Sequence, residues 1–223
     1  MRSRIQPRDL EVLRTLVRLR YVTSRDLIHA FFPAPEIGRR RLRILSASDY
    51  IRSHNKGLPP RSPYCAWRIT SRGIDLVARE LPHEHIPDGL AERVAEGSLY
   101  NLEHHEAICR VYFDLVIGSP VEDCAAQTAA ICMRANRFAW ANDGDVVLSS
   151  EYLGKKYEVV PDATLRTKGV ALFLELDRSS KPLGRIRENL ERYARYLSRQ
   201  PGATVVYVVL SEGRKKSITH LCE

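Results

Sequence analysis

The stretch Pro35-Glu36-Ile37-Gly38-Arg39-Arg40-Arg41-Leu42-Arg43-Ile44-Leu45-Ser46-Ala47 decides how the first third of the chain is read. Pro35 suits a first helical turn, where its missing N–H would have no intrahelical partner anyway. At about 100° per residue, Gly38, Leu42 and Leu45 fall on one side, Arg40 and Arg43 point away, and Arg39 flanks them. The pattern predicts a helix with a small apolar inner face and an arginine outer face. Gly38 on the inner side would let a neighbouring helix approach closely.

The flanking sequence supplies that neighbour. Pro7 opens a helix with Leu10, Leu13, Leu16 and Val17 on one face, ending near Arg20. Thr23-Ser24-Arg25-Asp26 then caps a second helix, with Leu27, Ile28 and Phe31 inward and Pro33 and Pro35 ending it. After the arginine helix, residues 50–53 and 64–69 are strand-like and enclose a Gly-, Pro- and base-rich loop, 55–63. Thr70 caps a further helix that runs to about Leu81. Three helices and a hairpin with a basic tip make a winged helix-turn-helix over residues 1–81. Arg39, Arg40 and Arg43 would reach the major groove or its phosphates, and Lys56 and Arg61 on the wing the adjacent backbone. The competing reading of the arginine run is a solvated face.

Charge supports the nucleic-acid reading. The formal net charge is +8, but residues 1–80 hold 17 Lys/Arg against 7 Asp/Glu, whereas residues 81–223 hold 18 against 20. A basic excess confined to one segment suits a polyanion-binding module joined to a body with another task. All but Lys56 of the front segment's basic residues are arginine, which favours bidentate phosphate or guanine contacts. The five cysteines (Cys65, Cys109, Cys124, Cys132 and Cys222) are scattered and never form a CxxC pair, which argues against a disulfide framework or a zinc site. No stretch reaches the apolar length of a spanning helix, and Met1-Arg2-Ser3-Arg4 leads into no signal-peptide core. A cytoplasmic protein without membrane contact is expected.

Residues 82–97, with two prolines and two glycines, read as a linker that includes a short helix at most, and residues 98–223 as a second domain. That domain opens with an amphipathic helix over 98–116, carrying His105 on its apolar stripe and Glu106 at the edge. Strands follow at 129–133, 146–150, 157–166 and 170–177, then a helix over 183–199 and a strand over 203–210. The last helix would cross between two strands of one sheet, giving an α+β chain of two domains with an α/β body.

The chemistry concentrates in Pro161-Asp162 and Glu175-Leu176-Asp177. If their strands pair antiparallel around Lys168-Gly169, Asp162 and Glu175 lie opposite each other on one face. Two carboxylates so held suit Mg²⁺ or Mn²⁺, which could polarise a scissile phosphate. Tyr193 and Tyr196 are read as helix packing rather than as nucleophiles, and His105 as a satisfied core histidine.

The two acidic segments, in a helix, strands, helix, strand order, resemble the PD-(D/E)XK, restriction-endonuclease-like nuclease core. Nearly the whole chain resembles the replication-relaxation family of mobile elements, to which relaxases of the CloDF13 MobC kind belong. The matching segments are Arg39-Arg40-Arg41-Leu42-Arg43, residues 102–115, Pro161-Asp162-Ala163, Phe173-Leu174-Glu175-Leu176-Asp177-Arg178 and Glu191-Arg192-Tyr193-Ala194-Arg195-Tyr196-Leu197. The resemblance implies a DNA-binding head and a nuclease-like body acting in origin nicking, replication or mobilisation of plasmid or integrative-element DNA. It implies Asp162, Glu175 and Asp177 as catalytic candidates, with Asp162 and Glu175 as ligands of Mg²⁺ or Mn²⁺ if the site is live and no cofactor otherwise. Glu106 on the opening helix would be auxiliary. The nuclease pattern has a lysine where Asp177 stands, so Lys181 or Arg185 would have to reach the site from the following turn and helix.

Two alternatives stay open at this point. Asp162 and Glu175 could instead form buried ion pairs with Arg178 or Arg185, in a domain that no longer cleaves. The chain would then be a non-enzymatic winged-helix regulator whose body dimerises or takes a partner. The candidate partners are double-stranded DNA, a second copy of the chain, and relaxosome or replication proteins.

Overall fold

Pro7 begins α1 (Pro7–Leu19) in the computed structural model, which describes residues 4–54, 65–97, 102–118, 135–142, 145–179 and 181–222. The helix start is closed reciprocally with Asp9, whose Oδ2 accepts the Gln6 N–H at 2.7 Å. Its buried stripe is Val12, Leu13, Leu16 and Val17. Next come β1 (Tyr21–Thr23), α2 (Ser24–Phe31) and α3 (Pro35–Ala47). The Thr23 hydroxyl caps α2, accepting the Asp26 N–H at 3.1 Å. A Cβ on Gly38 would lie 2.7 Å from Ile28 Cγ1, so the absence of a side chain sets the α2–α3 approach.

Strands β2 (Ile51–His54) and β3 (Ala66–Ile69) form an antiparallel pair, and β1 adds to β3, giving the sheet order β1-β3-β2. Sequence reading missed β1, because three residues are too few to show a period. Helix α4 (Ser71–Glu80) follows, capped by the Thr70 hydroxyl, which accepts the Gly73 N–H at 3.2 Å. Lys56 and Arg61, expected on the wing, lie outside the described residues.

Two compact units emerge from the contacts, Met1–Arg137 and Phe138–Glu223. Sequence reading drew the boundary at 97/98, whereas α5 (Leu90–Glu96), α6 (Leu102–Tyr112) and the π-helical turn Phe113–Ile117 fall in the first unit. Buried polar contacts account for this. Arg18 donates to both carboxylate oxygens of Glu84 (2.5 and 2.7 Å) and to the Ala135 carbonyl (3.0 Å). Tyr21 donates its hydroxyl to the Val94 carbonyl at 2.7 Å, and a Cβ on Gly97 would collide with that hydroxyl. A proline- and glycine-rich composition suggests a linker, and only the tertiary contacts reveal that Glu84 is paired with Arg14 and Arg18 of α1.

The second unit contains β4 (Ala139–Asn142), β5 (Leu148–Tyr152), β6 (Lys155–Val159), β7 (Ala163–Thr167), β8 (Val170–Asp177), α7 (Leu183–Leu197), β9 (Ala203–Val209) and α8 (Glu212–Thr219). The main sheet runs β4-β7-β8-β9, with β4, β7 and β8 antiparallel and β9 parallel to β8 after the α7 crossover. A separate hairpin, β5–β6, packs with the sheet and α7 around Leu148, Val159, Phe173 and Tyr193. The single strand expected over 157–166 is two strands in two sheets. Pro161 has no N–H to give a ladder and separates them. The strand expected at 129–133 lies outside the described residues.

Candidate functional site

The turn Lys168-Gly169 joins β7 to β8, with Gly169 at φ +78°. The register pairs Ala163 with Leu174, which carries Asp162, one residue beyond β7, to the level of Glu175. Asp162 Oδ2 accepts the Leu176 N–H at 2.7 Å, so its carboxylate is anchored to β8 itself.

Glu175 is 3% exposed. Its Oε1 accepts the Tyr193 hydroxyl at 2.7 Å and its Oε2 lies 3.4 Å from Lys181 Nζ. Burial, and then the charge of Asp162, raise its pKa above the ordinary glutamate range, while Tyr193 and Lys181 pull it back. Tyr207 of β9 stands in register with Glu175. Its hydroxyl is shielded from solvent and has no hydrogen-bond partner among the described residues. Burial and the nearby carboxylates hold both tyrosines well above the usual phenol range.

Asp177 lies on the same strand face as Glu175, two residues on, but its oxygens are engaged elsewhere. Arg214 of α8 donates Nε to Oδ2 and Nη2 to Oδ1, and the Ser179 N–H donates to Oδ1 at 3.2 Å. Of the two cations expected to come to the site, Lys181 reaches Glu175, and Arg185 is exposed on the first turn of α7. Lys181 is an ion-pair partner of Glu175, and Arg214 is an ion-pair partner of Asp177. Among the described residues, no group of three or more His, Cys, Asp or Glu side chains is arranged to hold a metal ion.

In the first unit, Arg39, Arg40 and Arg43 are exposed on α3. Arg41 is not equivalent to them. It pairs with both oxygens of Asp9, which is 0% exposed, and donates to the Arg4 carbonyl at 2.9 Å. Glu106 belongs to the same unit, where burial and the charge of Asp26 raise its pKa. His105 donates from Nε2 to the Tyr21 carbonyl at 2.6 Å, and burial lowers its pKa. That bond satisfies it as a core histidine.

Residues 13–208 match the replication-relaxation family. The chain belongs to the replication-relaxation family. Membership points to a role in plasmid replication or relaxation. The replication-relaxation match runs from α1 to β9, so it includes Asp162, Glu175 and Lys181 and stops short of Arg214. No curated protein and no solved structure matches the chain. No helix among the described residues is long and apolar enough to cross a membrane.

Sequence reading did not connect Tyr193, Tyr207 or Arg214 with the carboxylates. Helix packing accounts for Tyr193 by sequence alone, and only the α7 crossover brings its hydroxyl to Glu175. Tyr207 is a single phenol in an apolar strand, made notable by a parallel register that sequence does not give. For Arg214 a local sign existed, since Ser211 followed by Glu212 marks a helix start.

Proposed function

We propose that the chain is a double-stranded-DNA-binding protein of a plasmid or integrative element, in which a winged helix-turn-helix selects the locus and a PD-(D/E)XK-like body nicks it. One observation carries this reading. Lys181 Nζ lies 3.4 Å from Glu175 Oε2, so the cationic side chain missing at position 177 arrives from the turn after β8. Asp162, Glu175 and Lys181 then provide two carboxylates and an ammonium at one place.

The helix order, the β1-β3-β2 sheet and the close α2–α3 packing at Gly38 support the winged-helix half. Arg39, Arg40 and Arg43 enter the major groove or grip its phosphates, and Lys56 and Arg61 extend the contact along the backbone. Arg41 is excluded from that set by Asp9.

Mg²⁺ is commonly held by one or two protein carboxylates, with water and substrate phosphate completing its shell. Asp162 and Glu175 fit that pattern, and the Tyr207 hydroxyl beside them, which has no hydrogen-bond partner among the described residues, fits a site completed by something polar. Mg²⁺ or Mn²⁺ bound there would polarise the scissile phosphate and acidify a water. Tyr193 orients Glu175, the Leu176 N–H orients Asp162, and Lys181 offsets the charge that builds on the phosphate. Glu106, Asp177 and Arg185 take no direct part.

The engagement of both Glu175 oxygens by protein groups favours a second reading, a regulator whose body binds a second copy or a replication partner. A supercoiled-plasmid assay with Mg²⁺ or Mn²⁺ separates the two. The nuclease converts plasmid to the open circle, loses this in Asp162→Asn, and still retards a labelled duplex. A chain that binds duplex and never nicks, alone or with relaxosome proteins, is the regulator.

A further inference from the structure

Asp177 stands where the nuclease pattern has a lysine, and its surroundings show what accompanies the exchange. Its carboxylate is 1% exposed and paired with the Arg214 guanidinium. The same Arg214 Nη2 that donates to Asp177 Oδ1 also donates to the main-chain carbonyl of Lys181. One planar group therefore holds both ends of the segment 177–181. Ser179, at φ +63°, turns its N–H back onto Asp177 Oδ1. Lys181 in turn reaches Glu175 with its side chain.

We infer that Arg214 is a positioning residue, a clamp that bridges Asp177 and the Lys181 carbonyl and so delivers the Lys181 ammonium to Glu175. The Lys181 side chain is 40% exposed, and an ion pair that open to water is too weak to order its own loop. A mostly buried guanidinium with bonds in two directions is strong and directional. Lysine at position 214 would keep a positive charge near Asp177 but lacks the fork needed to hold the carbonyl as well. The carboxylate at 177 and the lysine at 181 thus form one arrangement, with Arg214 as its link. The catalytic consequence rests on the nuclease reading, whereas the clamp is a property of the folded chain.

The test uses the full chain and two readouts. In ammonium-detected NMR, the Lys181 resonance of the wild type shifts on Glu175→Gln, and in an Arg214→Lys background it does not. In the Mg²⁺ nicking assay, Arg214→Lys lowers kcat by about tenfold with duplex affinity unchanged, and adds no further loss to Lys181→Met. Arg214→Lys keeps a cation beside the buried Asp177. Should it nevertheless fail to fold, Asp177→Asn, which retains volume and an acceptor oxygen, gives the same changes in smaller degree. The clamp is overturned if the Lys181 resonance responds to Glu175→Gln equally with and without Arg214, or if the two losses in nicking multiply independently. A wild-type chain that shows the NMR coupling and never nicks defeats the nuclease reading and leaves the clamp standing.

Discussion

Leu176 donates its N–H to Asp162 Oδ2 at 2.7 Å, so a carboxylate from the end of one strand is bonded to the backbone of the next. Asp162 therefore has a structural duty as well as a place in the candidate site. Asp162→Ala removes both, leaving a β8 amide without its acceptor at a cost of about 1–3 kcal/mol. Asp162→Asn keeps an acceptor and removes the charge. Denaturant unfolding should show the alanine variant clearly destabilised and the asparagine variant near wild type. Equal stabilities would mean that the bond contributes nothing.

The four arginines of α3 should separate into two classes. Arg40→Ala with Arg43→Ala weakens duplex binding and flattens the dependence of log K on log salt by roughly 2, as expected for two lost phosphate contacts. Arg41→Ala acts on folding, because it strands the buried Asp9 carboxylate at a cost of about 3–5 kcal/mol. Fluorescence anisotropy across a salt series, together with thermal melts, reads both. An Arg41 variant that melts like wild type and fails to bind would reverse the assignment.

His105 makes the first unit acid-sensitive. Burial depresses its folded pKa below the ordinary value near 6.5, so the unfolded chain takes up the proton first as pH falls. The stabilisation is present above the ordinary histidine range and is lost as pH drops through the folded value. His105→Gln, which retains a donor for the Tyr21 carbonyl, should flatten the unfolding free energy between pH 7.5 and 5.5. A profile as steep as wild type's would place the sensitivity elsewhere.

Gly73 is held against backbone. A Cβ there would meet the Tyr50 carbonyl oxygen at 2.3 Å, the same oxygen that accepts from the Thr70 N–H and hydroxyl. Gly73→Ala gains up to about 1 kcal/mol of helix propensity but loses about 1–3 to overpacking. A net fall in melting temperature is expected, and a rise would show that the β2–α4 junction yields.

Much of the local structure was legible in the chain because local chemistry causes it. Pro7, Thr23, Pro35 and Thr70 mark helix starts by what their own atoms can or cannot donate and accept. The arginine helix and the close approach at Gly38 follow from the 3.6-residue period. Lys168-Gly169 marks the turn that brings Asp162 level with Glu175, as the β7–β8 register shows. Where the reading failed, the cause was contact between distant residues. Composition makes Glu84 part of a linker, whereas Arg18 holds both its oxygens, and Pro161 divides what composition presents as one long strand.

The α3 arginine face and the β7–β8 hairpin follow from the order of residues alone, as consequences of covalent spacing. Tertiary structure alone decided which charges meet. Arg41 turns inward to Asp9, Lys181 reaches Glu175, and Arg214 closes on Asp177 from 37 residues further along the chain. The physical reason is that a buried carboxylate must find a partner wherever the fold provides one, and no spacing rule names it in advance.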